Sequence, residues 1–142
     1  MCNPVLIDNF GRPITYLRLA VTDRCNLRCF YCMPAEGINY LPKKELLTYE
    51  EMEQLVAIAC QLGVNKVRIT GGEPFVRKDM ISFLERLSNI PGLDALHITT
   101  NGVLTAPYIG KLKKLKIASV NLSLDTLDRE RFLRITRRDE FE

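Results

Sequence analysis

The chain has 142 residues, 46% of them hydrophobic, and 20 basic against 17 acidic side chains leave a formal net charge of +3. This length and hydrophobic content are typical of one domain with a real core, so intrinsic disorder is not expected. The small positive charge suits an anionic ligand but indicates no nucleic-acid surface. Neither a membrane span of about 18–20 apolar residues nor the apolar core of a signal peptide is present, so we expect a cytoplasmic protein.

Hydrophobic patterning predicts four successive strand and helix units. The strands are predicted at residues 16–22, 67–70, 95–100 and 118–124, and the helices at 48–63, 79–90, 106–116 and from 128 onward. Such alternation predicts a parallel sheet with helices on its outer face, curled as in a TIM-type barrel. Four units do not close a barrel. The expected fold class is therefore α/β, a partial and open TIM-type barrel, with residues 1–142 as one incomplete domain.

Three cysteines lie close together directly after the first predicted strand. Cys25, Cys29 and Cys32 fall within eight residues, separated by three and then by two residues. Thiolates are soft ligands, typical of zinc and of iron–sulfur clusters. A protein that supplies three of them leaves one metal position open for another molecule. Cys2 and Cys60 lie outside this group, and Cys60 falls in an apolar helical stretch, where we expect it to belong to the core.

The predicted strands alternate between aliphatic and polar residues, and the aliphatic ones must face the helices. The opposite face is polar, and its side chains are Arg18, Arg68, Thr70, His97, Thr99, Asn101, Asn121, Ser123 and Asp125. Burying these groups without partners would be costly, so we expect this face to hold a large polar ligand.

Two arginines on this face suit a phosphate or a carboxylate, because a guanidinium binds such oxyanions through two parallel hydrogen bonds. The alternative is a structural network in which Arg18 and Arg68 pair with Asp125 or Glu73. His97 is expected to be a hydrogen-bonded interior residue and not a metal ligand.

Several segments of the chain also match a known pattern. They are Cys25-x-x-x-Cys29-x-x-Cys32 with Tyr31 before the last cysteine, Leu17 to Asn26, Arg68 to Pro74 with its Gly-Gly-Glu-Pro end, Thr99 to Gly102, and Asn121 to Asp125. Together they resemble the radical S-adenosylmethionine superfamily. Within it, the chain resembles over nearly its whole length the GTP 3′,8-cyclases of molybdenum cofactor biosynthesis.

The resemblance implies a cofactor set and a site. Three thiolates, matched by Cys25, Cys29 and Cys32, would hold a [4Fe–4S] cluster whose open iron binds S-adenosylmethionine. By the same resemblance Tyr31, Gly72 and Ser123 would contact S-adenosylmethionine, and Arg18, Arg68 and Thr99 would contact GTP. No catalytic residue is assigned beyond the cluster ligands.

The resemblance further implies a reaction and its partners. Reductive cleavage of S-adenosylmethionine would give a 5′-deoxyadenosyl radical that takes a hydrogen from the ribose C3′ of GTP. Closure onto guanine C8 would then give (8S)-3′,8-cyclo-7,8-dihydroguanosine 5′-triphosphate. An electron donor such as flavodoxin is implied, whereas nucleic acid and membrane are not; a homodimer stays open.

Three interpretations are left. The first is the N-terminal part of a GTP 3′,8-cyclase, because the later strands, the second cysteine-bound cluster and the Gly-Gly tail of that family do not occur in these 142 residues. The second is a radical S-adenosylmethionine enzyme that acts on another substrate, such as a peptide. The third is a non-catalytic metal-binding fragment, for example with structural zinc, although three thiolates fall one short of a closed zinc site.

Overall fold

The computed structural model describes residues 5–115 and 117–141, and its strands form one open parallel sheet in the order β1-β2-β3-β4. The strands are β1 (Tyr16–Ala20), β2 (Lys66–Thr70), β3 (Ala95–Thr100) and β4 (Ile117–Leu122). The helices are α1 (Tyr49–Gln61), α2 (Met80–Ser88), α3 (Ile109–Lys114) and α4 (Arg129–Thr136). The prediction of an α/β fold with four parallel strand and helix units is confirmed.

Helix α1 begins at a capping box. The Thr48 hydroxyl oxygen accepts a hydrogen bond from the Glu51 N–H at 3.2 Å, and the Glu51 carboxylate accepts one from the Thr48 N–H at 2.7 Å. Two N–H groups that lack a partner inside the helix are thereby satisfied. Beyond its C-terminal end, Gly63 has a φ of 97°, in the left-handed region that favours glycine.

Helix α3 is shorter than the sequence predicts. Residues Ala106–Tyr108 form a 3-10 turn that contains Pro107, and the α-helix starts only at Ile109. Proline carries no backbone N–H, which limits regular helical hydrogen bonding at this point. The predicted end of the helix, Lys116, lies outside the described residues.

The core lies between the outer face of the sheet and helices α1 and α2. Its fully buried side chains include Val56, Val67, Ile69, Phe83, Leu84, Leu87, Leu96 and Ile98. The Phe83 ring stacks on the Tyr49 ring with centroids 4.3 Å apart. Cys60 is partly buried against this core, as expected for a cysteine that is not a metal ligand.

Strand β4 is a sparsely covered edge of the sheet. Its pairing sets Val120 beside Ile98 on the outer face, as the alternation predicts, yet Val120 and Leu122 are 43% and 57% exposed. An apolar groove of about 600 Å³ separates these side chains from α3. Cys25, Cys29 and Cys32 do not line this groove, and apolar side chains dominate its walls.

Helix α4 does not cover this edge, which differs from the expectation that each helix packs on the outer face of the sheet. It lies instead against the cysteine segment, where the N–H groups of Arg28 and Phe30 donate to the carbonyl oxygens of Thr136 and Ile135 at 2.8 and 3.0 Å. The last turn of α4 therefore helps to hold the cysteine segment in place.

None of the helices in the described part of the chain has the length and hydropathy that crossing a membrane requires.

The core assignment predicts unequal effects of two phenylalanine truncations. Phe83→Ala removes a ring that is 0% exposed and should lower the free energy of unfolding by about 3–5 kcal/mol, because a cavity replaces it. Phe10→Ala removes the same ring from a position that is 83% exposed and should cost about 1 kcal/mol at most. Urea denaturation followed by circular dichroism measures both, and equal losses would contradict this packing.

Candidate functional site

The cysteine segment docks against the loop that follows β2 through backbone contacts. The Gly72 N–H donates to the Thr22 carbonyl oxygen at 2.7 Å, and the Glu73 N–H donates to the Arg24 carbonyl oxygen at 2.8 Å. A Cβ on Gly71 or Gly72 would collide with these same two carbonyl oxygens. The two glycines thus allow the strand-end loops to pack directly on each other.

A tight turn then brings the later two thiols together. The N–H groups of Cys32 and Met33 both donate to the Cys29 carbonyl oxygen, at 2.9 and 3.1 Å. Cys25, Cys29 and Cys32 border one cavity of about 620 Å³, whose lining also includes Gly71 and Gly72. The structure therefore places the three predicted ligands and the predicted cofactor-binding glycine around a single space.

Burial shapes the acidity of these thiols. Burial raises the pKa of the Cys25 and Cys29 thiols, and the Glu73 carboxylate further disfavours a thiolate at Cys25. Both thiols are therefore protonated at neutral pH in the absence of a metal, and ligation would release protons. No three His, Cys, Asp or Glu side chains within residues 5–115 and 117–141 converge on a point that could hold a single metal ion. A cluster places each thiolate on a different iron and does not need such convergence.

A hydrogen bond to a carboxylate holds the Tyr31 side chain near the carboxyl end of the sheet. Its hydroxyl donates to an Asp125 oxygen at 2.7 Å, and this hydrogen bond raises the pKa of Tyr31. The ring stays 57% exposed. Ser123, two residues before Asp125, donates its N–H to the Thr100 carbonyl oxygen at 2.8 Å, so it lies at the carboxyl end of the sheet.

A second group of polar side chains lies farther down the inner face. Pairing aligns Arg18 with Arg68, Arg68 with His97, and His97 with Ser119. Paired residues of parallel strands point to the same side of the sheet, so this row crosses all four strands. We call Arg18, Arg68, His97 and Ser119 the arginine row.

Hydrogen bonds hold part of the arginine row. Arg68 donates through Nε to the Tyr16 hydroxyl at 2.6 Å and through a terminal nitrogen to Thr99 Oγ1 at 3.3 Å. His97 Nδ1 lies 2.8 Å from Ser119 Oγ. Burial and the nearby Arg68 charge lower the pKa of His97, which keeps the imidazole neutral at pH 7. His97 is thus a hydrogen-bonded residue of the sheet, as expected.

The two carboxylates that the sequence offered as structural partners of the arginines bind other groups. Asp125 accepts from Tyr31, and Glu73 accepts from the Thr100 hydroxyl at 2.7 Å and the Asn101 N–H at 2.7 Å. The described hydrogen bonds of the Arg68 side chain go to the hydroxyl groups of Tyr16 and Thr99. The described contacts therefore do not form the arginine–carboxylate network.

Sequence reasoning missed the part that Glu73 and Asn101 have in this site. Glu73 is completely buried, and the Asn101 side chain approaches the Cys25 sulfur at 3.8 Å. The available signals were an acidic residue after two glycines and an asparagine at a strand end, and neither specifies its partner.

The sequence profile of the radical SAM superfamily matches residues 19–142. The chain belongs to the radical SAM superfamily. Curated relatives include a GTP 3′,8-cyclase of Thermodesulfovibrio yellowstonii, 53% identical over 131 residues, and molybdenum cofactor biosynthesis protein 1 of Drosophila melanogaster, 48% identical over 140 residues. These matches cover 92% and 99% of this chain but only 41% and 25% of the two relatives. The chain thus spans less than half the length of either relative.

Solved structures of Streptococcus suis SuiB are similar to this chain in fold. Streptococcus suis SuiB superposes with a TM-score of 0.70 at 25% identity, covering 89% of this chain and 28% of that chain. SuiB bound to S-adenosylmethionine gives a TM-score of 0.65 at 26% identity over the same shares. The superfamily name implies S-adenosylmethionine and an iron–sulfur cluster.

The residues of this radical SAM chain fit such a cofactor pair. Three thiols surround one cavity, which is the donor set of a cluster with one open iron. Gly72 is solvent-exposed on the same cavity, so a ligand can reach its backbone. A Cβ at this position would also collide with the Arg24 carbonyl oxygen, so the packing of the cysteine segment already requires glycine here.

A pair of glycine substitutions tests the docking of the cysteine segment. Gly72→Ala should lower the free energy of unfolding by about 1–3 kcal/mol, because the new methyl group meets backbone that cannot move aside. Gly110→Ala, in helix α3 with nothing within 4 Å, should raise it by about 0.5–1 kcal/mol through better helix propensity. Urea denaturation of both variants measures whether each substitution lowers or raises the free energy of unfolding. A neutral or stabilising Gly72→Ala would contradict the contact.

Proposed function

We propose that this chain is the N-terminal part of a GTP 3′,8-cyclase, the first enzyme of molybdenum cofactor biosynthesis. The observation that carries the proposal is the 53% identity, over 92% of the chain, to a relative named GTP 3′,8-cyclase. The arrangement of the site supports it, because two aligned arginines lie on the polar inner face of the same sheet whose strand ends, together with three thiols, line one cavity.

In this proposal Cys25, Cys29 and Cys32 hold a [4Fe–4S] cluster, and Tyr31, Gly72 and Ser123 position S-adenosylmethionine beside it. When bound there, the cluster would supply an electron for the reductive cleavage of S-adenosylmethionine, and thereby the radical chemistry for hydrogen abstraction at the ribose C3′ of GTP. The chain contributes binding, orientation and the exclusion of water. The Tyr31 ring is held in place for this by its bond to Asp125.

Arg18, Arg68 and Thr99 bind the substrate in this proposal. Arg68 precedes Gly72 by four residues, and because β2 ends at Thr70 their separation is at most about 13 Å, the length of four extended residues. That separation lets a nucleotide set its phosphates on the arginines while its ribose lies near the cofactor. A guanidinium is always charged and binds phosphate through two parallel hydrogen bonds.

A radical SAM enzyme with a peptide substrate is the second candidate. It is favoured by the likeness to SuiB, of which one crystal structure is bound to a precursor peptide, at a TM-score of 0.65 and 27% identity. Two observations favour the cyclase. Its identity is about twice as high, and paired arginines suit a polyanion better than a generic peptide.

We further propose that the protein works in the cytoplasm with a reductant such as flavodoxin. The basis is the use of clustered free thiols as ligands, which requires a reducing compartment.

Anaerobic reconstitution with iron and sulfide tests the cofactor assignment. We expect about four irons per chain and an electron paramagnetic resonance signal that changes when S-adenosylmethionine is added. Cys32→Ala should lose the cluster, whereas Cys60→Ala, which removes a partly buried core thiol, should keep it. A stoichiometric zinc site, or a cluster whose signal ignores S-adenosylmethionine, would contradict the proposal.

Substitution of the arginines tests the substrate assignment. Arg18→Ala or Arg68→Ala should weaken GTP binding on the order of ten- to a hundredfold, because each removes charge-assisted hydrogen bonds to phosphate. Arg12→Ala, which removes an exposed pairing with Asp8 at 2.7 Å, should leave GTP affinity unchanged. Equilibrium dialysis measures this on the chain and on the longest protein that its gene encodes. Wild-type affinity in both inner-face variants would refute their phosphate role.

A further inference from the structure

Glu73 is a fully buried carboxylate that ties the loop after β2 to the end of β3. One of its oxygens accepts from the Phe75 N–H at 3.1 Å and the Thr100 hydroxyl at 2.7 Å, and the other accepts from the Asn101 N–H at 2.7 Å. A buried carboxylate is tolerated only when such hydrogen bonds replace its water. The hydrogen bond from the Asn101 N–H to Glu73 holds the Asn101 backbone in place, and with it the Cα from which the side chain extends.

The orientation of the Asn101 amide follows from its partners. Asn101 Oδ1 accepts from the Val103 N–H at 3.1 Å, and Nδ2 donates to Asn26 Oδ1 at 2.8 Å while lying 3.8 Å from Cys25 Sγ. A backbone N–H can only donate, so the amide oxygen must face Val103 and the NH₂ group must face Cys25. The assignment of oxygen and nitrogen is therefore settled by the hydrogen bonds.

The Cys25 sulfur thus has two N–H donors directed at it. The Leu27 N–H lies at 3.4 Å and the Asn101 amide at 3.8 Å. Leu27 is a neighbour of Cys25 in the chain, but Asn101 is 76 residues away and reaches the sulfur only through the fold. Hydrogen bonds to cluster sulfurs stabilise the reduced state, because reduction adds negative charge to the cluster and its ligands.

We propose that Asn101 is a positioning residue of the iron–sulfur site, oriented by Glu73 and Asn26, which donates a hydrogen bond to the Cys25 thiolate and raises the reduction potential of the cluster. The inference rests on the proposed function, because it requires Cys25 to be a cluster ligand. It adds a residue outside the three cysteines that sets how readily the cluster accepts its electron.

The reduction potential of the reconstituted chain tests this role. In Asn101→Ala the ratio of reduced to oxidised cluster at a fixed potential should fall about tenfold, a shift of about 59 mV for a one-electron couple, with the iron content unchanged. Asn101→Asp should shift the potential further in the same direction, because a carboxylate replaces the donor with negative charge. Redox titration followed by electron paramagnetic resonance measures both.

Two comparisons sharpen the test. Asn89→Ala removes an amide that donates to the Glu85 carbonyl oxygen at 2.9 Å, outside the cysteine site, and should leave the potential unchanged. Asn26→Ala keeps the donor but removes the acceptor that orients it, and should give a smaller downward shift than Asn101→Ala.

The outcomes separate this inference from the proposed function. A wild-type chain that takes up no cluster would overturn the proposed function and this inference with it. A wild-type cluster whose potential is unchanged in Asn101→Ala would overturn the inference alone. Loss of iron from Asn101→Ala without a change of potential in Asn26→Ala would also overturn it, since Asn101 would then serve assembly and not the potential.

Discussion

The docking of the Gly71-Gly72 loop against residues 22–24 is the contact on which the rest of the site depends. Two backbone hydrogen bonds, at 2.7 and 2.8 Å, extend the pairing of β1 and β2 into their loops. Because no Cβ intervenes, the cysteine segment lies directly over the sheet end. The three thiols and the carboxyl ends of β1 and β2 therefore line one cavity.

Below that contact the sheet carries the polar inner face. Parallel pairing turns a pattern of every second residue into rows across the strands, so side chains distant in sequence become neighbours. The arginine row makes this face positively charged. The described hydrogen bonds of Arg68 go to two neutral hydroxyl groups, so no carboxylate compensates its guanidinium charge in the described contacts. A positively charged sheet face of this kind is suited to an anionic ligand, which agrees with the nucleotide substrate we propose.

The buried Glu73 connects the cysteine segment to the sheet. Its hydrogen bonds to Thr100 and Asn101 join the loop that docks the cysteine segment to the next strand, and the Asn101 amide returns to the Cys25 sulfur. Burial and the Glu73 carboxylate raise the pKa of the Cys25 thiol, whereas the Leu27 N–H and the Asn101 amide lower it. Glu73 and Asn101 thus act in opposite directions on this sulfur, although the hydrogen bond between them fixes their relative position.

The strand and helix units, the clustered thiols and the polar inner face follow from the amino-acid sequence, because each depends on local spacing or on strand periodicity. Alternation placed Arg68 inward, and three thiols within eight residues indicated a metal centre. The tertiary structure alone decided that Asn101 reaches Cys25, that Gly72 packs against the Arg24 carbonyl, and that α4 lies on the cysteine segment. These contacts join residues that are far apart in the chain. Sequence periodicity predicts which face of a strand a side chain occupies, but it does not predict which distant residue that side chain contacts.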